Sequence, residues 1–158
     1  MSRIAVVSDT HGVTENIRPL LKRLGQVDAL YHLGDHAEDA IELSRILNCG
    51  YVSVRGNCDP FSPAPLETTV DWHGHRILLL HGHTVSGRQH LFYAAKQANA
   101  DAILFGHSHV PSVETVEGVL MLNPGSLSRP RTPKGPSMAL IGLEDTELTA
   151  ELLFLNSL

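Results

Sequence analysis

The stretch RIAVVSDTHG, residues 3–12, gives the first indication of the fold. Residues 3–8 are nearly continuously apolar, as is typical of a β-strand that is covered on both faces. The strand pattern stops before Asp9, and the polar sequence Asp9-Thr10-His11-Gly12 follows directly. Other strands that end in the same kind of loop would place their polar side chains at the same edge of a sheet.

The succession of strand, polar loop and helix recurs through the first half of the chain. It predicts a helix from Thr14, as N-cap, to about residue 24, a strand at 29–33, a helix at 40–47 and a strand at 51–54. Pro19 indicates a late start or a kink in the first helix. This alternation is typical of βαβ units and a parallel sheet.

The second half of the chain predicts a different arrangement. A hairpin is expected from residues 66–71 and 76–80 around the turn 72–75, followed by a helix at 87–99 and a strand at 102–105. Further strands are expected at 112–116, 119–122 and 138–143, with a turn at Glu117-Gly118 and a closing strand at 147–154. We therefore expect an α/β fold.

The composition is that of a globular chain of 158 residues, which predicts a single domain spanning residues 1–158. Twelve basic residues without a Lys/Arg run, and a net charge of −5, argue against an extended nucleic-acid surface. No apolar run approaches the roughly 20 residues of a membrane span, and the one near the N-terminus is too short for a signal peptide. Only Cys49 and Cys58 are present, so we expect a cytoplasmic protein in a reducing compartment. Homo-oligomerisation stays open.

Metal-binding side chains stand at five predicted strand ends. One example is LFGHSHV, residues 104–110, where an apolar run leads into two histidines separated by one serine. Ligands of open α/β sheets bind outside the carboxyl ends of the strands, and the chain has ten histidines, the commonest metal-binding side chain. Turn and cap chemistry explains any one of these residues, but not the whole set. The set is Asp9, His11, Asp35, Asn57, His81, His107 and His109.

The motifs D-x-H, G-D, G-N-x-D, H-G-H and G-H-x-H occur in that order, and together they resemble the signature of the calcineurin-like metallophosphoesterases. GNCD at 56–59 and NPGSLSRPR at 123–131 are similar to motifs of the small bacterial and archaeal phosphodiesterases of that superfamily. The resemblance covers nearly the whole chain. It implies a βα sandwich of mixed sheets flanked by helices, with the site at the carboxyl ends of the strands.

The resemblance also implies two metal sites that share one ligand. Asp9, His11, Asp35 and His109 would form the first ion site, and Asp35, Asn57, His81 and His107 the second, with Asp35 as the bridge. Nitrogen and oxygen ligands without thiolate suit transition metals better than Ca or Mg. We expect two divalent ions, Mn first, with Ni, Co, Fe or Zn as alternatives.

The implied function is hydrolysis of small phosphodiesters by attack of metal-bound hydroxide on phosphorus. The resemblance assigns a catalytic role to Asn57 and Asp59, and contact with the phosphate-ester substrate to Asn123, Gly125 and Ser126, where an ordinary Pro-Gly turn is the alternative. A phosphomonoesterase is the nearest other function. A non-catalytic metal-binding interaction scaffold is the alternative from a different class.

One position departs from the family pattern. Many members carry a histidine after the asparagine of the G-N motif, and it is thought to act with an acidic neighbour in protonating the leaving group. Here that position is Cys58, followed by Asp59. A thiol with a pKa of about 8.5 is not an equivalent acid. Two interpretations of His36 stay open: it protonates the leaving group in place of the missing histidine, or it faces solvent at the start of a helix. Contact between His83 and the substrate also stays open.

Overall fold

The computed structural model describes residues 2–157. The strands of the first half are β1 (Ile4–Val7), β2 (Ala29–His32), β3 (Gly50–Ser53), β4 (Glu67–Trp72) and β5 (His75–Leu80). Those of the second half are β6 (Ala102–Leu104), β7 (Ser112–Val116), β8 (Val119–Asn123), β9 (Ser137–Glu144) and β10 (Glu147–Phe154). The α-helices are α1 (Leu21–Leu24), α2 (Asp39–Leu47) and α3 (Arg88–Gln97), and 3₁₀ helices lie at Glu15–Leu20 and Leu155–Ser157.

The ten strands form two mixed five-stranded sheets. Sheet A has the order β10-β9-β1-β2-β3, and sheet B has the order β4-β5-β6-β8-β7. In sheet A, β1, β2 and β3 are parallel, as the repeated strand–loop–helix pattern predicted. β9 pairs antiparallel with β1, and β10 closes that edge.

Sheet B begins with the predicted hairpin. Trp72 pairs with His75 in the ladder, so the turn is shorter than predicted and contains only His73 and Gly74. Both residues have positive φ, 49° and 82°, which is the requirement of a type I′ hairpin turn. β5, β6 and β8 then run parallel, and β7 pairs antiparallel with β8.

The molecule has four layers: helices, sheet A, sheet B and a further helix. The central core joins the facing sides of the two sheets, with Val6 and Ile141 of sheet A packed in one cluster with Leu79 and Leu104 of sheet B. The first 3₁₀ helix, α1 and α2 cover the outer face of sheet A, and α3 covers the outer face of sheet B. This is the mixed-sheet sandwich that the motifs implied. Among residues 2–157 no helix has the length and apolar character of a membrane span.

The first helix is the clearest departure from the sequence prediction. Residues 15–20 form a 3₁₀ helix, only residues 21–24 are α-helical, and Thr14 makes no side-chain capping bond. Pro19 gives the physical reason, because its ring lacks an N–H group and would clash with the carbonyl four residues earlier in an α-helix. Thr14 therefore stands at the N-cap position as predicted, but without the capping bond, and the α-helix starts late, after Pro19.

Candidate metal centre

The loops that follow the parallel strands of both sheets meet at one edge of the sandwich. Asp9 N–H, after β1, donates to the Gly34 carbonyl at 2.9 Å, and Gly106 N–H, after β6, donates to the His81 carbonyl at 2.8 Å. His81, after β5, in turn donates from Nδ1 to the Leu33 carbonyl at 2.8 Å. These bonds connect the carboxyl ends of strands from the two sheets, where the sequence predicted the site.

The four residues predicted for the first ion site lie together. Ligand atoms of Asp9, His11, Asp35 and His109 are all within 4.8 Å of one another. Asp9 Oδ1 is 3.2 Å from His109 Nε2, and Asp35 Oδ2 is 3.7 Å from His11 Nε2. Two carboxylates and two imidazoles at this separation form a donor set that suits a divalent transition metal.

Two atoms of this cluster lack any hydrogen-bond partner although they are buried. They are Asp9 Oδ1 and His11 Nε2. A buried carboxylate oxygen without a partner is costly, whereas a cation bound between Asp9 and His11 would satisfy both atoms. The Asp9 carboxylate is otherwise well held, because its Oδ2 accepts bonds from Ser8 Oγ at 2.6 Å and from His107 N–H at 3.1 Å. The residues present therefore fit a metal ion.

Two histidines are held in the tautomer that metal binding needs. His81 Nδ1 donates to the Leu33 carbonyl, and His109 Nδ1 donates to the Arg129 carbonyl at 2.6 Å. In the neutral rings the lone pair then lies on Nε2, the nitrogen that faces the carboxylates. A hydrogen bond from the opposite ring nitrogen is how proteins orient metal-binding histidines.

Three of the four residues predicted for the second ion site also converge. His81 Nε2 lies 3.4 Å from Asp35 Oδ2 and 3.3 Å from His107 Nδ1. Asp35 Oδ2 thus lies within 3.7 Å of a histidine from each predicted ion site, His11 and His81. Asn57 is exposed, and its amide nitrogen lies 3.8 Å from Cys58 Sγ. Its place among the metal ligands stays a prediction.

The charges of the cluster shift its pKa values. Burial acts to lower the pKa of His81, but the carboxylates of Asp35 and Asp9 outweigh burial and raise that pKa. Burial acts to raise the pKa of Asp35, but the His81 imidazole and the Cys58 N–H outweigh it and hold that pKa well below its ordinary value. For His11, burial prevails and lowers the pKa. Asp35 is therefore ionised at neutral pH, as a metal-binding carboxylate must be.

Backbone strain is concentrated at these side chains. Asp9, His11, Asp35, His107 and His109 all have φ between 47° and 72°. The left-handed region costs a residue other than glycine about 1–3 kcal/mol, and such strain clusters at functional sites. The sequence carries no signal for this property.

The motif glycines next to the cluster leave no room for a side chain. A Cβ at Gly56 would collide with Asp35 Oδ1 and lie 2.7 Å from Asp35 N, and a Cβ at Gly106 would collide with Ser8 Oγ and lie 2.8 Å from Asp9 Oδ2. Glycine at these two positions lets the backbone approach the Asp9 and Asp35 carboxylates closely.

Asp59, for which a catalytic role was predicted, is buried under the Asp35 loop. Its Oδ2 accepts the N–H groups of Asp35 at 2.8 Å and Gly56 at 2.9 Å. Its Oδ1 accepts those of His36 at 2.7 Å and Ala37 at 3.1 Å. Four backbone donors occupy the carboxylate, and this favours a role in positioning Asp35 over the predicted role in proton transfer.

Cys58 occupies the position of the family's histidine, at the surface beside Asp35. Its N–H donates to Asp35 Oδ1 at 2.9 Å. Burial, followed by the negative charge of Asp35, raises the pKa of the Cys58 thiol. The thiol is therefore protonated at neutral pH.

The residues predicted to contact substrate in the 123–126 loop are buried. The Asn123 amide donates to the Gly106 carbonyl at 3.2 Å and to Ser108 Oγ at 3.0 Å, and its oxygen accepts the Gly125 N–H at 2.9 Å. Ser126 Oγ donates to the Asp9 carbonyl at 2.8 Å and accepts the Arg129 N–H at 2.7 Å. These contacts indicate that Asn123 and Ser126 hold the loops of the candidate metal centre in place, and they argue against the predicted contact with substrate.

The two histidines that the sequence left open lie close to the cluster. His36 is half-buried, with its ring centroid 5.7 Å from that of His11. The His83 ring centroid is 5.5 Å from that of His81, and His83 Nδ1 is buried without a partner. Burial, and then the neighbouring His81 and His107, lower the pKa of His83.

His32 is a supporting residue whose role the sequence did not reveal, because only its position in a strand was apparent. Its Nδ1 accepts the Gly34 N–H at 3.0 Å, and its Nε2 donates to Thr10 Oγ1 at 2.9 Å. Thr10 Oγ1 donates onward to Asp39 Oδ2 at 2.6 Å. This buried chain connects the loops after β1 and β2 to the first turn of α2. Burial lowers the pKa of His32 to about 4, so its ring is neutral at pH 7.

Comparison with known proteins agrees with this geometry. The family model described as the calcineurin-like phosphoesterase superfamily domain matches residues 2–146. The chain is 35% identical over 150 residues to the probable metallophosphoesterase YsnB of Bacillus subtilis (strain 168), covering 92% of this chain and 87% of that protein. It is 28% identical over 162 residues to the phosphodiesterase MJ0936 of Methanocaldococcus jannaschii, covering 92% and 93% of the two chains.

A solved structure extends the likeness to the whole fold. The crystal structure of a conserved uncharacterized protein from Streptococcus pneumoniae TIGR4, a predicted phosphoesterase, superposes with a TM-score of 0.79 at 29% identity. The superposition covers 98% of this chain and 90% of that one. With the family model, the curated relatives and the ligand cluster in agreement, the chain belongs to the calcineurin-like phosphoesterase superfamily and is a metal-dependent phosphoric ester hydrolase.

Proposed function

We propose that the protein hydrolyses small phosphodiesters with a pair of divalent ions that share Asp35. The observation that carries this proposal is the Oδ1 atom of Asp9, which is buried and without a hydrogen bond. It faces Nε2 atoms of three histidines: His109 at 3.2 Å, His81 at 3.7 Å and His11 at 4.0 Å. A carboxylate oxygen among three imidazoles is costly to bury unless a cation joins them.

Each group of the centre has a role in this proposal. One ion would be held by Asp9, His11 and His109. The other would be held by His81, His107 and Asn57, and Asp35 would bind both ions. Two such ions would supply Lewis-acid stabilisation of the phosphoryl oxygens and a water nucleophile of lowered pKa, with manganese as the proposed metal. The carboxylates of Asp9 and Asp35 offset only half the charge of two divalent ions, so the centre attracts an anionic phosphate ester.

The surrounding residues position these ligands. Asp59 holds the loop that carries Asp35, and Ser126 holds the Asp9 carbonyl. Arg129 is exposed, lies close enough to lower the pKa of His11, and would guide an anionic substrate. We propose that the substrate is a small phosphate ester. We also propose that the protein acts in the cytoplasm, where the free thiols of Cys49 and Cys58 would stay reduced.

Two cavities beside the centre favour a diester over a monoester. One, of about 480 Å³, is lined by Cys58 and Asp59, which follow β3 of sheet A. The other, of about 340 Å³, is lined by Gly106 and His107, which follow β6 of sheet B. A phosphodiester has two ester substituents, and a centre with a cavity on each sheet's side has room for both. The phosphodiesterase among the relatives supports the same preference.

One assay separates the diesterase from a monoesterase and from a non-catalytic scaffold. The protein is stripped of metal, reloaded with Mn²⁺, and offered bis(p-nitrophenyl) phosphate or p-nitrophenyl phosphate. We expect hydrolysis of the diester to exceed that of the monoester, and Asp35→Asn and His81→Ala to abolish it. A preference for the monoester would favour the monoesterase. Equal activity in all three proteins would remove the catalytic assignment.

A further inference from the structure

We propose that the cavity beside Cys58 binds one ester substituent of the substrate, and that this substituent is an uncharged aromatic ring. The inference rests on the proposed diesterase function and adds the chemical class of the group that the centre accepts. We call this space the Cys58 cavity. It lies between the start of α2, the edge strand β3 and the segment 58–65.

The size and lining of the Cys58 cavity suit an organic ring. Its volume of about 480 Å³ falls in the range of small-molecule pockets, roughly 300–1,000 Å³, which are mostly apolar. Ile41, Tyr51, Phe61 and Ala64 provide apolar surface, together with three prolines of the segment 58–65.

Phe61 offers an aromatic surface that the rest of the described chain leaves uncovered. Its side chain is 97% exposed although it borders an apolar cavity. A ring bound in the cavity would stack on Phe61 and on the half-exposed Tyr51, and aromatic pairs are stabilised beyond the area they bury.

The charges of the lining exclude an anionic group. Glu38 and Asp59 line the Cys58 cavity, and no Lys, Arg or His is among its lining residues within the described range 2–157. The Asp59 carboxylate is already occupied by four backbone N–H groups. A substituent with its own phosphate would meet the Glu38 carboxylate without a counter-charge, whereas an uncharged ring would not.

Two residues that line the Cys58 cavity also bond to Asp35, so the cavity adjoins the candidate metal centre. Cys58 lines the cavity, and its own N–H donates to Asp35 Oδ1 at 2.9 Å. Asp59 lines the cavity and also binds the N–H of Asp35. In this proposal, a phosphate ester held at Asp35 would place one substituent past Cys58 into this space.

Equilibrium binding tests the inference without requiring turnover. Titration calorimetry of the Mn²⁺-loaded protein would compare diphenyl phosphate with dimethyl phosphate, two diesters of equal charge. We expect diphenyl phosphate to bind more tightly, and Phe61→Ala to reduce that preference roughly fivefold, the loss expected for one aromatic contact. Ala64→Leu, which narrows the Cys58 cavity, should reduce the preference too. Tyr93→Ala, an exposed aromatic on α3 outside this cavity, serves as the matched control and should preserve it.

The outcomes for this inference and for the proposed function are separable. Equal binding of the two diesters, or a preference that both cavity variants retain, overturns the aromatic subsite even if the protein hydrolyses bis(p-nitrophenyl) phosphate. A preference that Phe61→Ala and Ala64→Leu both lower supports the subsite even if no diester is hydrolysed. In that last case the proposed diesterase function fails, and the Cys58 cavity remains a binding site for the aromatic ring of a phosphate ester.

Discussion

At the scale of the residue, Asp9 connects the two halves of the chain. Its Oδ2 binds the N–H of His107 from sheet B, and its carbonyl accepts bonds from Ser126 and Ser128. Only Oδ1 is left without a partner. The side chain and the carbonyl of this one residue thus connect three loops, and Oδ1 is left facing the histidines.

Asp9→Asn is expected to lose metal at the first ion site and most of the activity. The substitution retains the shape of the side chain but removes its charge, and several kcal/mol of transition-state stabilisation corresponds to about 100-fold or more in rate. Metal content by elemental analysis and kcat/KM for the diester would measure both effects. Asp71→Asn, at an exposed carboxylate of the β4–β5 hairpin, is the control. Wild-type metal content in Asp9→Asn would contradict the assignment.

Cys58 predicts a strong dependence of rate on the leaving group. Its thiol is a weaker acid than the family's histidine, and its pKa is raised further by burial and by Asp35. Rates for aryl phosphodiesters of graded leaving-group pKa should therefore fall steeply as that pKa rises. Cys58→His should flatten the plot. A flat plot for the wild type would show that another group supplies the proton.

His32 predicts a specific loss of stability in acid. Its pKa of about 4 in the folded protein is below the ordinary 6.5 of the unfolded chain. Between these values the unfolded chain binds more protons, so the stability from a neutral His32 is full above pH 6.5 and is lost as the pH falls toward 4. The loss amounts to about 3 kcal/mol.

Urea unfolding at pH 7.5, 6 and 5 measures the part of this loss that is reached by pH 5, about 2 kcal/mol. The wild type should be destabilised more than His32→Gln over that range, since glutamine has no proton to gain. Parallel pH profiles for the two proteins would show that His32 does not carry the effect.

At the scale of the element, the loops after the strands position the ligands. Gly106 lies between β6 and the two histidines of G-H-x-H, where a Cβ would collide with Ser8 and approach Asp9. Asp59, in the loop after β3, binds the backbone of the loop after β2. Through these contacts, the position of each loop depends on that of its neighbour, and so does the position of the candidate ligands that it carries.

Gly106→Ala is expected to weaken metal binding without unfolding the protein. The added methyl group must displace Ser8 or Asp9, and disturbed supporting contacts typically cost 10–100-fold in metal affinity. Competition with a chelating dye would measure the affinity for Mn²⁺. Gly50→Ala, where an added Cβ meets no atom within 4 Å, should bind metal as the wild type does. Equal affinity in both variants would mean that the loop has room that the structure does not show.

Asp59→Asn tests the positioning role of that carboxylate. The amide NH₂ can accept no hydrogen bond, so two of the four backbone N–H groups would face another donor. We expect metal affinity and kcat/KM to fall together, while the dependence of rate on leaving-group pKa keeps its slope. A changed slope would restore Asp59 to a direct part in proton transfer.

The elements themselves were largely predictable from the sequence, and the exceptions have physical causes. Short apolar runs predicted the β-strands because burial on both faces requires them. The α-helix expected from Thr14 begins only at Leu21, because Pro19 cannot occupy the interior of an α-helix without a clash. The structural roles of three residues were not predictable, since each binds groups that are distant in sequence. These residues are His32, Asp59 and Ser126. Spacing along the chain carries no trace of such contacts.

At the scale of the whole molecule, the candidate metal centre lies across the junction of the two sheets. Asp9, His11 and Asp35 follow strands of sheet A, and His81, His107 and His109 follow strands of sheet B. The motifs predicted which residues would meet, because the carboxyl ends of parallel strands share an edge. They did not predict that the four clustered residues of the candidate first ion site come from two sheets, which depends on sheet packing.

Metal binding is therefore expected to stabilise the whole fold. An ion that binds the folded state alone adds about 2.7 kcal/mol at a concentration 100 times its Kd. Thermal unfolding followed by circular dichroism should give a higher Tm with Mn²⁺ than with EDTA. Asp9→Asn should show a smaller difference. An identical Tm with and without metal in the wild type would indicate that the two sheets do not share an ion.

The central claim is that the folded protein binds two neighbouring ions through Asp35. A crystal structure of the Mn²⁺-loaded protein, with anomalous scattering measured at the manganese edge, tests it most directly. We predict two anomalous peaks about 3.5–4 Å apart, with a carboxylate oxygen of Asp35 in contact with both. A single peak, or two peaks that do not share Asp35, would contradict the account.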